Sequence, residues 1–232
     1  MIQLSESQLC VIDNVSLKVQ ELLSDAEAGH DWWHIHRVYT NAEKIAKEEE
    51  TNTYVVLIAS LLHDIADAKF NDGDETIGPR LAEKIMTSLK VDQDTIDHVI
   101  NIIKYMSFKN SLGGKSWTSP EMEVVQDADR LDAIGAIGIA RAFSYGGYKG
   151  REFFDPKILP IDNIDKETYK KSKAPTINHF YEKLLLLKDK MNTPTGQKMA
   201  NKRHKFMKAY LKQFYNEWYG KEIIPPGFSE GL

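Results

Sequence analysis

From Val55 to Leu62 the chain reads Val-Val-Leu-Ile-Ala-Ser-Leu-Leu, its longest apolar run even with Ser60 counted, and the run ends directly on His63-Asp64. A segment without a polar face must be enclosed by other segments, so it belongs at the centre of the fold. The β-branched Val55, Val56 and Ile58 would suit a buried strand. The wider stretch from Tyr54 to Lys69 is of helix length, and this favours a central helix. Its eight-residue apolar run falls far below the roughly 20 residues that cross a bilayer.

The rest of the sequence supplies partners for such a helix. From Asp31 to about Glu49, Ile35, Val38, Tyr39, Ala42, Ile45 and Ala46 recur at helical spacing with charged residues opposite. Further helices are predicted over 5–26, 75–89, 92–106, 119–145, 176–191 and 195–219. The last two form a hairpin, because Asn192-Thr193-Pro194 places a capping residue ahead of a first-turn proline. Phe206, Tyr210, Phe214 and Trp218 then recur every four positions and are expected in the core. Alternating polar and apolar runs with hairpin turns are lacking, so the fold class is all-α. Ser107–Ser119 and Tyr145–Lys173, rich in glycine and proline, read as long loops of the kind that carry binding residues.

At 232 residues, with 42% hydrophobic and 28% charged residues, the chain has the composition of one large globular domain, with the helices of 176–219 packed on it. Cys10 stands alone, which excludes an intrachain disulfide and a zinc site of paired thiolates. Met1-Ile2-Gln3-Leu4-Ser5-Glu6 carries neither a basic cluster nor an apolar core of signal-peptide length, and this predicts a cytoplasmic protein. A net charge of −4 argues against binding nucleic acid through bulk charge and leaves room for a local basic pocket. Lys198, Lys202, Arg203, Lys205, Lys208 and Lys212 read as a solvated helix face. Gly113-Gly114-Lys115-Ser116 is not a phosphate-binding P-loop, since Lys109 stands where its first glycine is needed. Membrane contact is not expected, and a homo-oligomer is compatible with these features.

The chemistry begins at His63-Asp64. Burying a carboxylate at the end of so apolar a helix is costly unless a cation offsets it. Upstream, His30, His34, Arg37 and Asn41 follow at spacings of four, three and four and share one helical face, whereas His36 points to nearly the opposite side. Downstream, Asp127, Asp129 and Asp132 alternate with the apolar Val124, Val125, Ala128 and Leu131, so at least one acid turns inward. Three helices thus offer ligands to one point. Asp67, four residues after His63 and three after Asp64, shares their face on a continuing helix and is placed to accept a proton from an attacking water.

The stretches His34-Ile35-His36-Arg37-Val38, Leu62-His63-Asp64-Ile65-Ala66-Asp67, Asp127-Ala128-Asp129-Arg130-Leu131-Asp132 continuing to Arg141, and Tyr145-Gly146-Gly147 resemble the HD-domain superfamily of metal-dependent phosphohydrolases, in its bacterial YpgQ/YedJ-type branch. The resemblance covers most of the chain and implies an all-α fold around one divalent ion. Carried over by position, the ligands are His34, His63, Asp64 and Asp129, the last chosen over Asp127 and Asp132 because the pattern sets its ligand two residues before the leucine. Two imidazoles and two carboxylates leave positions open for water or substrate oxygen, and suit manganese first, with magnesium, iron, cobalt or nickel as alternatives. Asp64 and Asp67 are the implied catalytic residues, although a glutamate can stand at the place of Asp67 in related enzymes. Arg37, Lys69 and Arg130, with Lys109, Lys115, Lys149 and Arg151 from the two loops, are candidates for neutralising phosphate. The implied activity is nucleotide pyrophosphohydrolysis, converting a nucleoside triphosphate to monophosphate and pyrophosphate. A 5'-nucleotidase, another phosphomonoesterase or phosphodiesterase, and a non-catalytic nucleotide sensor are the competing readings.

Overall fold

The structure, a computed structural model, describes residues 4–24, 31–65, 74, 76–106, 117–162 and 172–228. Among these there is no strand, in keeping with the all-α expectation. No described helix is long and apolar enough to cross a membrane. The chain divides into two compact units, residues 1–129 and 130–232.

In the first unit, α1 (Glu6–Leu22) opens on a capping box between Ser5 and Gln8 and buries Ile12, Val15 and Val19. The α2 helix (Trp32–Ala46) is capped by Asp31, whose side chain accepts from the His34 backbone N–H. Its inner face carries His34, Ile35, Val38, Asn41, Ala42, Ile45 and Ala46. The apolar run forms α3 (Thr53–Leu62), capped by Asn52, with every residue from Tyr54 to Leu62 buried. Hydrocarbon on all sides makes α3 the hub: α2, α5 (Gln93–Tyr105) and α1 pack on it, and α4 (Ile77–Ser88) packs on α5. The predicted helix to Lys69 is shorter than expected. Here α3 stops at Leu62, and residues 63–65 turn away.

The predicted helix over 119–145 is two helices, α6 (Pro120–Asp132) and α7 (Gly135–Tyr148). The break is built into the sequence. Gly135 adopts φ 81°, a left-handed value that glycine takes without strain, and a Cβ on Gly138 would lie 2.2 Å from the carbonyl oxygen of Ala133. Asp132, buried, pairs with Arg141 across the break, and the Arg203 guanidinium donates to the Leu131 carbonyl.

The second unit joins α7 to α8 (Thr176–Glu182), a 3-10 segment (Leu184–Lys190) and the long α9 (Pro194–Tyr219). The single helix expected over 176–191 is interrupted at Lys183, whose backbone angles of −145° and −57° leave the helical region. The aromatic stripe on α9 is also displaced from expectation. Phe206 is 52% and Trp218 48% exposed, while Met207, Leu211 and Tyr215, one position along, are buried. Aromatic rings still dominate this unit, with Phe154 meeting Tyr215 at 5.4 Å, Trp218 at 5.3 Å and Phe228 at 5.1 Å between centroids.

Candidate metal centre

The centre is assembled within the first unit. His34 lies in the first turn of α2 and is 3% exposed, turned inward with Ile35 and Val38. His63 is the residue that ends α3. Its Nδ1 lies 2.8 Å from the Ser60 carbonyl oxygen. A carbonyl only accepts, so this bond puts the proton on Nδ1 and leaves a lone pair on Nε2. That Nε2 is buried and has no hydrogen-bond partner among the described residues. An unpaired buried acceptor on an imidazole is costly unless something electron-poor meets it. The two imidazole rings stand edge to face, 5.4 Å apart between centroids.

Asp129 on α6 completes the group. Its Oδ1 lies 3.6 Å from His34 Nε2, and one ligand atom from each of His34, His63 and Asp129 falls within 4.8 Å of the others. Donors at about 2.1 Å from a shared ion lie at most about 4.2 Å apart, so small side-chain movements bring all three onto one centre. The Asp129 side chain is 45% exposed, which keeps this flank open to solvent. The orphaned Nε2 and the nitrogen-oxygen donor set therefore fit a divalent ion of the borderline or hard class.

The other candidates are distributed as follows. Asp64 is half-buried in the turn after α3 and is not among the three groups that converge. Asp127 is fully buried, and Asp132 is engaged by Arg141. The three acids of the Asp127–Asp132 segment thus have three different surroundings. His36, the rival to His34, is exposed and packs against the rings of Trp32 and Trp33. Arg37 is half-buried on α2. In the second unit, Arg130 donates to the Lys190 carbonyl at 2.7 Å, and Arg151 donates to that of Ser172 at 2.7 Å. Lys149 lies over the Tyr148 ring at 4.8 Å, and Arg151 over that of Tyr145 at 5.6 Å. Asp67, Lys69, Lys109, Lys115 and His30 lie outside the described residues.

Two backbone acceptors at the centre have no signature in the sequence. The Ser60 carbonyl sets the His63 tautomer, and no side-chain pattern announces a backbone acceptor. Asn41, placed by its spacing on the face of His34, donates from Nδ2 to the Ala128 carbonyl at 3.3 Å.

Residues 32–134, which contain all three converging side chains, match the family model described as HD domain. The protein YpgQ of Bacillus subtilis strain 168 is 38% identical over 198 residues, spanning 84% of this chain and 87% of YpgQ. The chain belongs to the HD-domain superfamily. Its likeness to solved members of that superfamily runs nearly full length. The crystal structure of an HD-superfamily hydrolase from Bacillus thuringiensis matches with a TM-score of 0.75 at 38% identity, over 92% of this chain and 100% of that one. The crystal structure of Bacillus subtilis YpgQ in complex with ADP matches with a TM-score of 0.72 at 35% identity, over 96% and 98% of the two chains. Membership of this HD group makes the protein a metal-dependent hydrolase.

Proposed function

We propose that this HD-domain protein hydrolyses phosphoester or phosphoanhydride bonds in nucleotides, with a nucleoside triphosphate cleaved to monophosphate and pyrophosphate as the leading reaction. The observation that carries the reading is the convergence of His34, His63 and Asp129, one ligand atom from each within 4.8 Å of the others, with the buried His63 Nε2 unpartnered among the described residues. Nucleotide as the substrate class is supported by the ADP in the YpgQ crystal structure.

In this reading His34, His63, Asp64 and Asp129 hold one divalent ion, manganese first. When bound, that ion supplies Lewis-acid polarisation of a phosphoryl oxygen and acidification of water. The chain's own residues do the remaining work. The Ser60 carbonyl keeps the His63 proton on Nδ1, away from the reacting side. Asp67 manages the proton of the attacking water, and Arg37, Lys69, Lys109, Lys115, Arg130, Lys149 and Arg151 are the candidates for offsetting phosphate charge.

The test is a screen of metal-stripped protein resupplied with single divalent ions against a nucleotide panel, with phosphate and pyrophosphate measured separately. Pyrophosphate with monophosphate is the expected product pair. Free phosphate alone would reassign the protein as a phosphomonoesterase, and no turnover with any ion would leave a nucleotide-sensing module.

A further inference from the structure

The three converging side chains are not held in the same way. His34 and His63 ride on α2 and α3, which pack closely along their length. Asp129 rides on α6, which buries Val124, Val125 and Ala128. Side-chain hydrogen bonds add to that burial in registering α6. Glu121 Oε1 accepts from the Asn52 backbone N–H at 2.9 Å, Gln126 Nε2 donates to the Met106 carbonyl at 3.0 Å, and Asn41 Nδ2 donates to the Ala128 carbonyl at 3.3 Å.

The Asn41 bond differs from the others in position. Asn41 stands seven residues after His34, two turns along the same face of α2, and its acceptor belongs to the residue immediately before Asp129. A helical carbonyl has a second lone pair, so Ala128 can accept this bond without giving up its helical one. Asn41 is 8% exposed, and the bond joins positions 87 apart in the chain. In a buried setting little water competes for such a bond, so its geometry is well defined.

We infer that Asn41 is a positioning residue for the metal centre: by pinning the Ala128 carbonyl to α2 it sets the distance at which Asp129 meets His34. The inference rests on reading His34, His63 and Asp129 as ligands of one ion. Its consequence is that removing the Asn41 amide weakens the ion's attachment more than it weakens the fold, because the helix keeps its apolar contacts while its carboxylate loses register.

The experiment compares manganese affinity, by competition with a chelator, and the electron paramagnetic resonance spectrum of the bound ion. The proteins are the wild type, Asn41→Leu, Asn41→Ala and the remote core variant Val99→Ala. Thermal unfolding of each metal-stripped protein is recorded alongside. Both Asn41 variants are expected to bind manganese about tenfold more weakly, with an altered spectrum. Val99→Ala is expected to lose thermal stability and keep wild-type affinity. The second Asn41 variant decides the matter if the first does not fold, and failure of both to fold would overturn the inference by making Asn41 a requirement of the fold. Wild-type affinity and spectrum in a folded Asn41 variant would overturn it while leaving the metal reading intact. A wild-type protein that binds no divalent ion would overturn both.

Discussion

The α2–α3 pair and α6 place their converging side chains by different physics. The pair is locked by hydrocarbon: Ile35, Val38, Ala42 and Ile45 on α2 and Val56, Ile58, Ala59 and Leu62 on α3 are wholly buried. Packing of this kind is dense and unforgiving, so the two histidines sit where side-chain volumes allow and nowhere else. The α6 helix buries Val124, Val125 and Ala128 too, and adds directional bonds through Asn41, Gln126 and Glu121.

That contrast is most severely tested in the hydrocarbon lock itself. Leu61→Ala, at a residue 1% exposed on α3, is expected to cost about 2–5 kcal/mol in urea unfolding through lost transfer energy and a residual cavity. A cost below about 1 kcal/mol would mean that α3 is not the hub. Next come the proposed ligands on the two sides. His63→Ala and Asp129→Ala should each lower divalent-ion affinity by at least about a hundredfold, near 2.7 kcal/mol. They should differ in the metal-stripped protein, where the 45% exposed Asp129 side chain contributes under about 0.5 kcal/mol of stability. Chelator competition and unfolding curves on the same samples separate the two quantities, and retention of full metal occupancy by His63→Ala would remove it from the site.

The second unit supplies an effect that should be independent of both arms. Burial, reinforced by Lys183 and Arg151, holds the His179 imidazole down to about 3 from an ordinary 6.5. Below pH 6.5 the unfolded chain takes up a proton that the folded chain refuses, so the stability present above that value is lost progressively as pH falls toward 3. At pH 5 the loss is about 2 kcal/mol relative to pH 7. His179→Gln should flatten this part of the pH dependence of unfolding followed by circular dichroism. An unchanged slope would show that acid acts elsewhere.

Much of this was legible in the residues. The all-α class follows from 3.6-residue periodicity on α2, and the hub position of α3 from the absence of any polar face, because both are local consequences of where hydrocarbon falls along a helix. The candidacy of His63 was visible in the same way, as a polar residue at the end of an apolar run. The early end of α3 and the division of 119–145 were less visible. The second was encoded in Gly135 and Gly138, whose need for glycine appears only once the left-handed turn and the nearby Ala133 carbonyl are in place.

By itself the sequence determined which residue types were available to the centre, which helices carried them, and that His34 rather than His36 shares a face with the core. It could not choose among Asp127, Asp129 and Asp132 by periodicity, since all three fall between apolar positions on one short helix. Tertiary structure separated them, turning Asp129 toward His34, burying Asp127 and giving Asp132 to Arg141. It alone decided that Ser60 and Asn41 act through backbone carbonyls. The reason is physical: helical periodicity is written by neighbours three and four positions away, whereas a hydrogen bond across 87 positions exists only after the helices have met.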